Sequence, residues 1–202
     1  MIDPTKDLEL TYEKDGLTKD ILTVKEMRVL LNTPSQSILE IRDKVIMEIL
    51  YATGIRSCEL CALDIQDVNL KENEVHIKDL KNRTERRLPL ARQSNILLAQ
   101  YFLTSRNKLL GRRKLESAVF LNVHGQRLDK QLIYDIIKKY VKRAGIQKHI
   151  TPHCFRHSCA THMLQNGAPV EMIQQLLGHR HINSTAIYTR AMLDDLKKSI
   201  KK

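Results

Sequence analysis

Two strings in the last quarter of the chain decide the fold: His-Cys-Phe-Arg-His at residues 153–157 and Leu-Leu-Gly-His-Arg-His-Ile-Asn-Ser-Thr-Ala-Ile-Tyr at residues 176–188. A proline directly precedes the first string and Gly167 follows it, which is typical of a helix that begins near its first histidine. Pro169 and Gly178 bracket a second helix in the same way. The spacing therefore predicts that the first string opens one helix and that the second string continues past the end of the next.

The reactive side chains of these strings can act together on a phosphodiester. Arg156 supplies a planar guanidinium that stays charged and donates to two oxygens at once. His153 stands three residues earlier, so the two side chains are expected on one helix face, and His179 adds a second imidazole donor. Tyr188 supplies a phenol that could attack phosphorus, although its usual pKa of about 10 requires help from nearby cations or a base.

A third string, far upstream, supplies another arginine. The residues Ala-Thr-Gly-Ile-Arg-Ser-Cys-Glu-Leu at 52–60 place Arg56 and Glu59 three positions apart. On one helical turn the carboxylate can hold the guanidinium in position, which is a supporting role. Either arginine alone would be interpreted as a solvated surface residue. Their joint occurrence with the histidines and the tyrosine favours a paired clamp for a phosphate.

The composition points to a nucleic-acid partner. Lys and Arg outnumber Asp and Glu by 34 to 23 in 202 residues, a formal net charge of +11. Such an excess attracts polyanions and releases their counterions. Six tyrosines, three phenylalanines and no tryptophan are too few to stack successive unpaired bases, so double-stranded DNA is the expected partner. The acidic residues are scattered rather than clustered, so the expected chemistry uses neither a metal ion nor a cofactor.

Together these strings resemble the catalytic domain of the tyrosine recombinases, the phage-integrase family, and most of all its bacterial Xer-type branch. The resemblance covers residues 22–189. It implies an α+β fold that is mainly α-helical, with a small three-stranded antiparallel sheet. It also implies a DNA breaking and rejoining enzyme, a site-specific recombinase or integrase.

The resemblance implies a role for each reactive side chain. Attack by Tyr188 would form a 3′-phosphotyrosyl intermediate and release a 5′-hydroxyl, and religation would need no ATP because the ester conserves the bond energy. His179 would donate a hydrogen bond to a non-bridging oxygen, and Glu59 would support the first arginine. The implied catalytic set is Arg56, Lys81, His153, Arg156, His179 and Tyr188.

In the resembled family a lysine on a β-hairpin turn supplies the leaving-group proton. Counting back from Arg-Leu-Pro-Leu at 87–90 lays the family's Gly-Lys-Gly-x-Lys-x-Arg pattern onto Leu-Lys-Asn-Arg-Thr-Glu-Arg at 80–86. This alignment makes Lys81 the general acid. The chain departs from the pattern because both glycines and the second lysine are replaced, and Lys78 stays a competitor.

Periodicity and capping residues predict the remaining elements. Thr23 and Glu26 form a capping box for a helix that ends near Asn32. Alternating polarity predicts strands at 74–77 and 86–90 joined by a charged turn, and a third strand at 119–122. Further helices are expected at 39–53, 56–63, 93–106, 130–144, 153–165, 169–178 and 192–201.

Three segments are expected along the chain. Residues 1–21 are polar and irregular, as in a linker between domains, and residues 22–190 form the catalytic domain. Residues 191–202 form an amphipathic helix, which in the resembled family docks onto a neighbouring protomer; packing on its own domain is the alternative. The family's N-terminal DNA-clamping domain is absent, which favours an excised fragment over a minimal protein. A tetramer assembled around two duplexes, aided by accessory recombination proteins, is the expected complex.

The four cysteines allow a zinc site as an alternative. Cys58 and Cys61 have the C-x-x-C spacing, and Cys154 and Cys159 lie among histidines. The helical apolar pattern around the first pair favours four core thiols instead. No apolar run is long enough to span a bilayer, so a cytoplasmic protein with reduced thiols, associated with the bacterial nucleoid, is expected.

Three other functions fit part of the pattern. A type IB topoisomerase uses the same chemistry to relax one duplex, and a non-catalytic DNA-binding protein could keep the scaffold alone. The Xer-like strings argue against the first, and the complete set of reacting groups argues against the second. A zinc-binding regulator would need the cysteines and histidines to meet.

Overall fold

The described part of the chain is mainly helical and contains a small three-stranded sheet. The structure is a computed structural model that describes residues 21–79, 84–111 and 115–178. The helices are α1 (Val24–Asn32), α2 (Ile38–Thr53), α3 (Ser57–Ala62), α4 (Arg92–Tyr101), α5 (Asn107–Leu110), α6 (Lys130–Arg143), α7 (Pro152–Gln165) and α8 (Val170–Leu177). The strands are β1 (Val68–Asn69), β2 (Glu74–Asp79) and β3 (Thr84–Pro89). A π-helical turn, Phe102–Arg106, joins α4 to α5.

The first two helices begin and end where local chemistry dictates. The Glu26 carboxylate accepts a hydrogen bond of 2.7 Å from the Thr23 backbone N–H, and the Thr23 hydroxyl accepts one from the Glu26 N–H. This capping box confirms the predicted start of α1. Helix α2 ends at Gly54, whose φ of 61° is the left-handed conformation that terminates helices. Both predictions are confirmed.

The sheet is antiparallel in the order β1-β2-β3. The two long strands pair from Glu74 with Pro89 to Asp79 with Thr84, as the predicted hairpin requires. The predicted third strand at 119–122 is wrong, because the third strand is β1, of only two residues. A buried apolar run such as 118–121 does not distinguish a strand from other buried backbone, and two residues are too few to display alternation.

Alternation along the hairpin separates an inner face from an outer one. Val75 and Ile77 on β2 and Leu88 on β3 are buried against the helices. Arg86 lies opposite Ile77 in the register, so it shares the inner face. Its neighbour Arg87 lies on the outer, solvated face. An arginine that points inward from a strand needs polar partners inside the domain.

Helix α2 lies at the centre of the core and packs against α1, α4, the π-helical turn, α6 and α7. Its side chains Val45, Ile46, Met47, Ile49 and Leu50 are at most 1% exposed. Because α2 is buried on several sides, its C-terminal end at Gly54 is held firmly beside α7 and α8. None of the helices in the described ranges is both long and apolar enough to cross a membrane.

Substituting Gly54 with alanine should destabilise the domain more than the same change at Gly145. A Cβ at Gly54 would lie 2.5 Å from Cδ2 of the buried Leu177, and the residue would keep a φ of 61°. The strain and the overpacking together should cost about 2–4 kcal/mol of unfolding free energy.

Gly145 provides the matched control for that substitution. It has a φ of 68° but open space where a Cβ would go, so Gly145→Ala should cost only the backbone strain, about 1–2 kcal/mol. Urea denaturation of both variants measures the difference. Equal losses would show that the packing against α8 does not matter.

Candidate active site

Arg56 caps the start of α3 and is held by Glu59. Its backbone N–H donates to Oε2 of Glu59 and its Nη1 donates to Oε1, both at 2.9 Å. The arginine side chain is 39% exposed, while the carboxylate side chain is 6% exposed. The contact that the three-residue spacing predicts is therefore present, and the guanidinium keeps one side open to solvent.

Arg156 lies in α7 and is buried. Its Nη1 donates to the carbonyl of Gly54 at 2.6 Å, and its Nη2 donates to the carbonyl of Leu177 at 2.5 Å, so it joins the ends of α2 and α8. Burial, followed by the charges of Arg56 and Arg86, lowers the pKa of Arg156 to about 10. The group is still charged at neutral pH.

Three arginines converge on the last carbonyls of α8. Consecutive backbone oxygens accept hydrogen bonds from Nε of Arg86 at 3.3 Å, from Nη2 of Arg156, and from Nη2 of Arg56 at 3.3 Å. Those oxygens belong to Leu176, Leu177 and Gly178. The C-terminal end of a helix carries partial negative charge, which favours cations there. The predicted pair of arginines is thus brought together, directly before residue 179.

Arg86 is the member of this cluster that the sequence analysis did not single out. Its Nη1 and Nη2 donate to the two oxygens of Glu59 at 2.9 and 2.7 Å, a bidentate pair. Burial alone would raise the pKa of Glu59, but the hydrogen bonds and charges of Arg86 and Arg56 outweigh it, so the pKa is lowered. The inward-facing position of Arg86 on a strand was the available signal.

His153 and Arg156 stand three residues apart in α7 but differ in exposure and in hydrogen-bond partners. The arginine points to carbonyls inside the domain, whereas His153 is exposed near the start of α7. The Nε2 atoms of His153 and His157 are 3.1 Å apart, and the rings meet at 77°. Burial, then the charges of His153 and Arg156, lowers the pKa of His157. A neutral His157 can therefore pair with His153 at pH 7.

The buried His162 of α7 should make stability depend on pH. Burial lowers the pKa of His162, whose Nδ1 lies 3.0 Å from the Tyr51 hydroxyl. The folded chain therefore takes up protons at lower pH than the unfolded chain, where a histidine titrates near 6.5. The contribution of His162 to the free energy of unfolding is therefore fully present above about pH 6.5 and is lost as the pH falls below that value.

Urea denaturation at pH 7.5 and pH 5.5 measures this loss. In His162→Gln the loss should be smaller, because the group that takes up the proton on unfolding has gone. His124→Gln is the control, because it makes the same substitution at an exposed ring. An undiminished loss in His162→Gln would contradict the prediction.

Lys78 is engaged away from the arginine cluster. Its Nζ lies 2.5 Å from Oδ1 of Asp67, whose other oxygen accepts from the backbone N–H of Asp64. The hydrogen bond to Asp67 raises the pKa of Lys78, so the ammonium holds its proton more tightly. The other three predicted catalytic residues, Lys81, His179 and Tyr188, lie outside the described residues. So do residues 1–20 of the predicted linker at 1–21 and the predicted C-terminal helix.

The expectation of four core cysteines is wrong for Cys58, which is exposed, and Cys61 is only half-buried. The short helix α3 lies near the surface, and its buried face carries Glu59 and Leu60 instead. Burial raises the pKa of Cys61 to about 11 and that of the buried Cys159 to about 12, so these thiols stay protonated. Within the described ranges, no three His, Cys, Asp or Glu side chains are placed to hold a metal ion.

Solved structures of recombinases share this architecture. The crystal structure of XerA recombinase aligns with a TM-score of 0.72 and 30% identity, over 90% of this chain and 65% of that chain. The catalytic core of lambda integrase aligns with a TM-score of 0.60 and 18% identity, over 83% of this chain and 95% of that one. The fold is that of a tyrosine recombinase catalytic domain, α+β and mainly helical.

Sequence comparison leads to the family. The profile of the phage integrase family matches residues 20–193. Tyrosine recombinase XerD of Oceanobacillus iheyensis is 39% identical over 200 residues, which are 98% of this chain and 67% of that protein. XerD of Staphylococcus haemolyticus is 42% identical over 189 residues, 93% of this chain and 63% of that protein. The chain belongs to the phage integrase family, and it spans about two thirds of the length of these relatives.

Proposed function

We propose that the protein is a site-specific DNA recombinase or integrase. Its domain at residues 22–190 cuts and rejoins duplex DNA without a metal ion, through a 3′-phosphotyrosyl link to Tyr188. The observation that carries this proposal is the convergence of Arg56 and Arg156 on the last turn of α8, directly before His179.

The charge of the cluster suits a phosphoryl transition state. Among the described residues, the guanidinium groups of Arg56 and Arg86 bond to the Glu59 carboxylate, and that of Arg156 lies within its electrostatic reach. Three positive charges against this one negative charge leave a surplus of two. Attack on a phosphodiester concentrates about two negative charges on the non-bridging oxygens, and fixed cations beside those oxygens lower the barrier. The partly exposed Arg56 and the buried Arg156 would donate to them, with His153 and His179 as further donors.

The leaving 5′-oxygen needs a proton, and we assign its donor to Lys81. Strand β2 ends at Asp79 and strand β3 begins at Thr84, so this lysine belongs to the connection between them. The ion pair of Lys78 with Asp67 supports this choice, because a lysine held by a carboxylate has a raised pKa and is a weaker acid.

Double-stranded DNA is the proposed partner. Solved relatives include XerH recombinase bound to a palindromic difH substrate, with a TM-score of 0.69 and 25% identity over 90% of this chain and 52% of that one. The net charge of +11 supports the same partner here. We further propose a synaptic tetramer on DNA, assisted by accessory recombination proteins, and a cytoplasmic site of action at the bacterial nucleoid. Residues 1–21 would serve as a linker and residues 191–202 as a helix exchanged between protomers.

A nicked duplex tests the proposed chemistry. A nick beside the scissile phosphate lets the leaving strand diffuse away, so a covalent protein–DNA adduct should accumulate, with the DNA attached to a single tyrosine. DNA that binds without forming an adduct would favour a non-catalytic DNA-binding protein. Relaxation of a supercoiled plasmid that carries no recombination site would favour a type IB topoisomerase.

A further inference from the structure

The side chain of Arg86 bonds to residues outside the hairpin on which it lies. Its side chain is 9% exposed and donates through Nε, Nη1 and Nη2. Two of these bonds go to both oxygens of Glu59 and the third goes to the Leu176 carbonyl. All three nitrogens of the Arg86 guanidinium are therefore engaged inside the domain, where they hold the Glu59 carboxylate and the Leu176 carbonyl.

The same carboxylate connects Arg86 to Arg56. Oε1 of Glu59 accepts from Nη1 of both arginines, and Oε2 accepts from the Arg56 backbone and from Nη2 of Arg86. Apart from Glu59, the Arg56 guanidinium has one hydrogen bond among the described residues, the longer one of 3.3 Å to the Gly178 carbonyl. The orientation of the exposed guanidinium therefore depends on how firmly the carboxylate is held.

From this geometry we infer that Arg86 is a positioning residue for strand cleavage: through Glu59 it orients the Arg56 guanidinium toward the scissile phosphate. The inference rests on the proposed function. Arg86 also fixes strand β3 to α3 and α8, so loss of its side chain has two separable consequences. One is a displaced guanidinium, and the other is a displaced hairpin connection that carries Lys81.

Arg86→Met should lower the rate of adduct formation on saturating nicked DNA by about 10- to 100-fold, the usual effect of removing a group that orients a reacting one. DNA affinity should not change, because the side chain is buried. Arg86→Lys should recover only part of the rate, since one ammonium cannot bond both carboxylate oxygens and the Leu176 carbonyl. Arg87→Met is the matched control: the same charge is lost from the adjacent position, where the side chain is 67% exposed. Its rate should equal that of the wild type.

Two altered substrates separate the two consequences. A methylphosphonate at the scissile position is uncharged before attack, so less negative charge develops on its non-bridging atoms and the reaction depends less on an oriented guanidinium. On it the rate difference between wild type and Arg86→Met should shrink toward one. A 5′-bridging phosphorothiolate has a leaving group that needs no proton, so the deficit of Arg86→Met should persist there while that of Lys81→Ala disappears.

Several results would overturn the inference. Wild-type rates for Arg86→Met on the natural phosphate would do so, and so would recovery on the phosphorothiolate with no recovery on the methylphosphonate. Circular dichroism establishes that each variant is folded at the assay temperature, and Arg86→Lys takes the same two-substrate test if Arg86→Met does not fold. Failure of the wild type itself to form an adduct would instead contradict the proposed function.

Discussion

Replacing Tyr188 with phenylalanine should abolish the covalent adduct on nicked DNA while leaving DNA affinity unchanged. The substitution removes one oxygen, the proposed nucleophile, and keeps the ring. Because no adduct can form without that oxygen, the yield should fall below detection rather than decline by a modest factor. Denaturing gels score the adduct, peptide mapping of the wild-type adduct identifies the modified residue, and gel-shift titration measures affinity.

Tyr134→Phe provides the matched control, since it removes a phenolic oxygen elsewhere. The hydroxyl of Tyr134 lies 3.1 Å from Nε2 of His149 at the surface, so its loss should cost little stability and no activity. An adduct of wild-type yield in Tyr188→Phe would show that another residue attacks, and the assignment would then have to move to the mapped residue.

Arg156→Lys should slow adduct formation by about 10²–10³-fold, the effect of removing one preorganised donor to a developing oxyanion. Lysine keeps the positive charge, but its one ammonium cannot donate to the carbonyls of both Gly54 and Leu177 and also face a phosphate. A buried carbonyl left without a donor should also lower the unfolding free energy by about 1–3 kcal/mol. Single-turnover rates and urea denaturation measure the two effects separately.

Arg143→Lys controls for the exchange of one cation for the other. Arg143 lies on the surface, with Nη1 at 2.6 Å from Oε1 of Glu40, and exposed ion pairs contribute little to stability. Rate and stability should both stay close to wild type. If Arg156→Lys behaved in the same way, a bidentate guanidinium would not be needed at the site.

The parts of the site that could be predicted are those set by local spacing. Three residues separate Arg56 from Glu59, and one helical turn is enough to bring them together. The ends of α2 and α8 were equally predictable, because Gly54 and Gly178 adopt left-handed conformations that glycine favours. These features depend on backbone geometry over a few residues, which the sequence displays directly.

The contacts that join the distant segments could not be predicted. Arg156 and Arg86 are held by backbone carbonyls, and every residue has a carbonyl, so no side-chain pattern identifies the partner. The two-residue strand β1 could not be predicted for a different reason. Its pairing depends on a turn that contains Asn73 at a φ of 55°. A local turn rather than alternation therefore determined that third strand.

The paired guanidinium groups exist only in the finished fold. The bond from Arg156 to Gly54 spans 102 positions of the chain, and the bond from Arg56 to Gly178 spans 122. Residues from the junction of the second and third helices, from α7 and from the end of α8 must be present together before these two bonds can form. The paired cations of the candidate site therefore form only when the whole domain has folded.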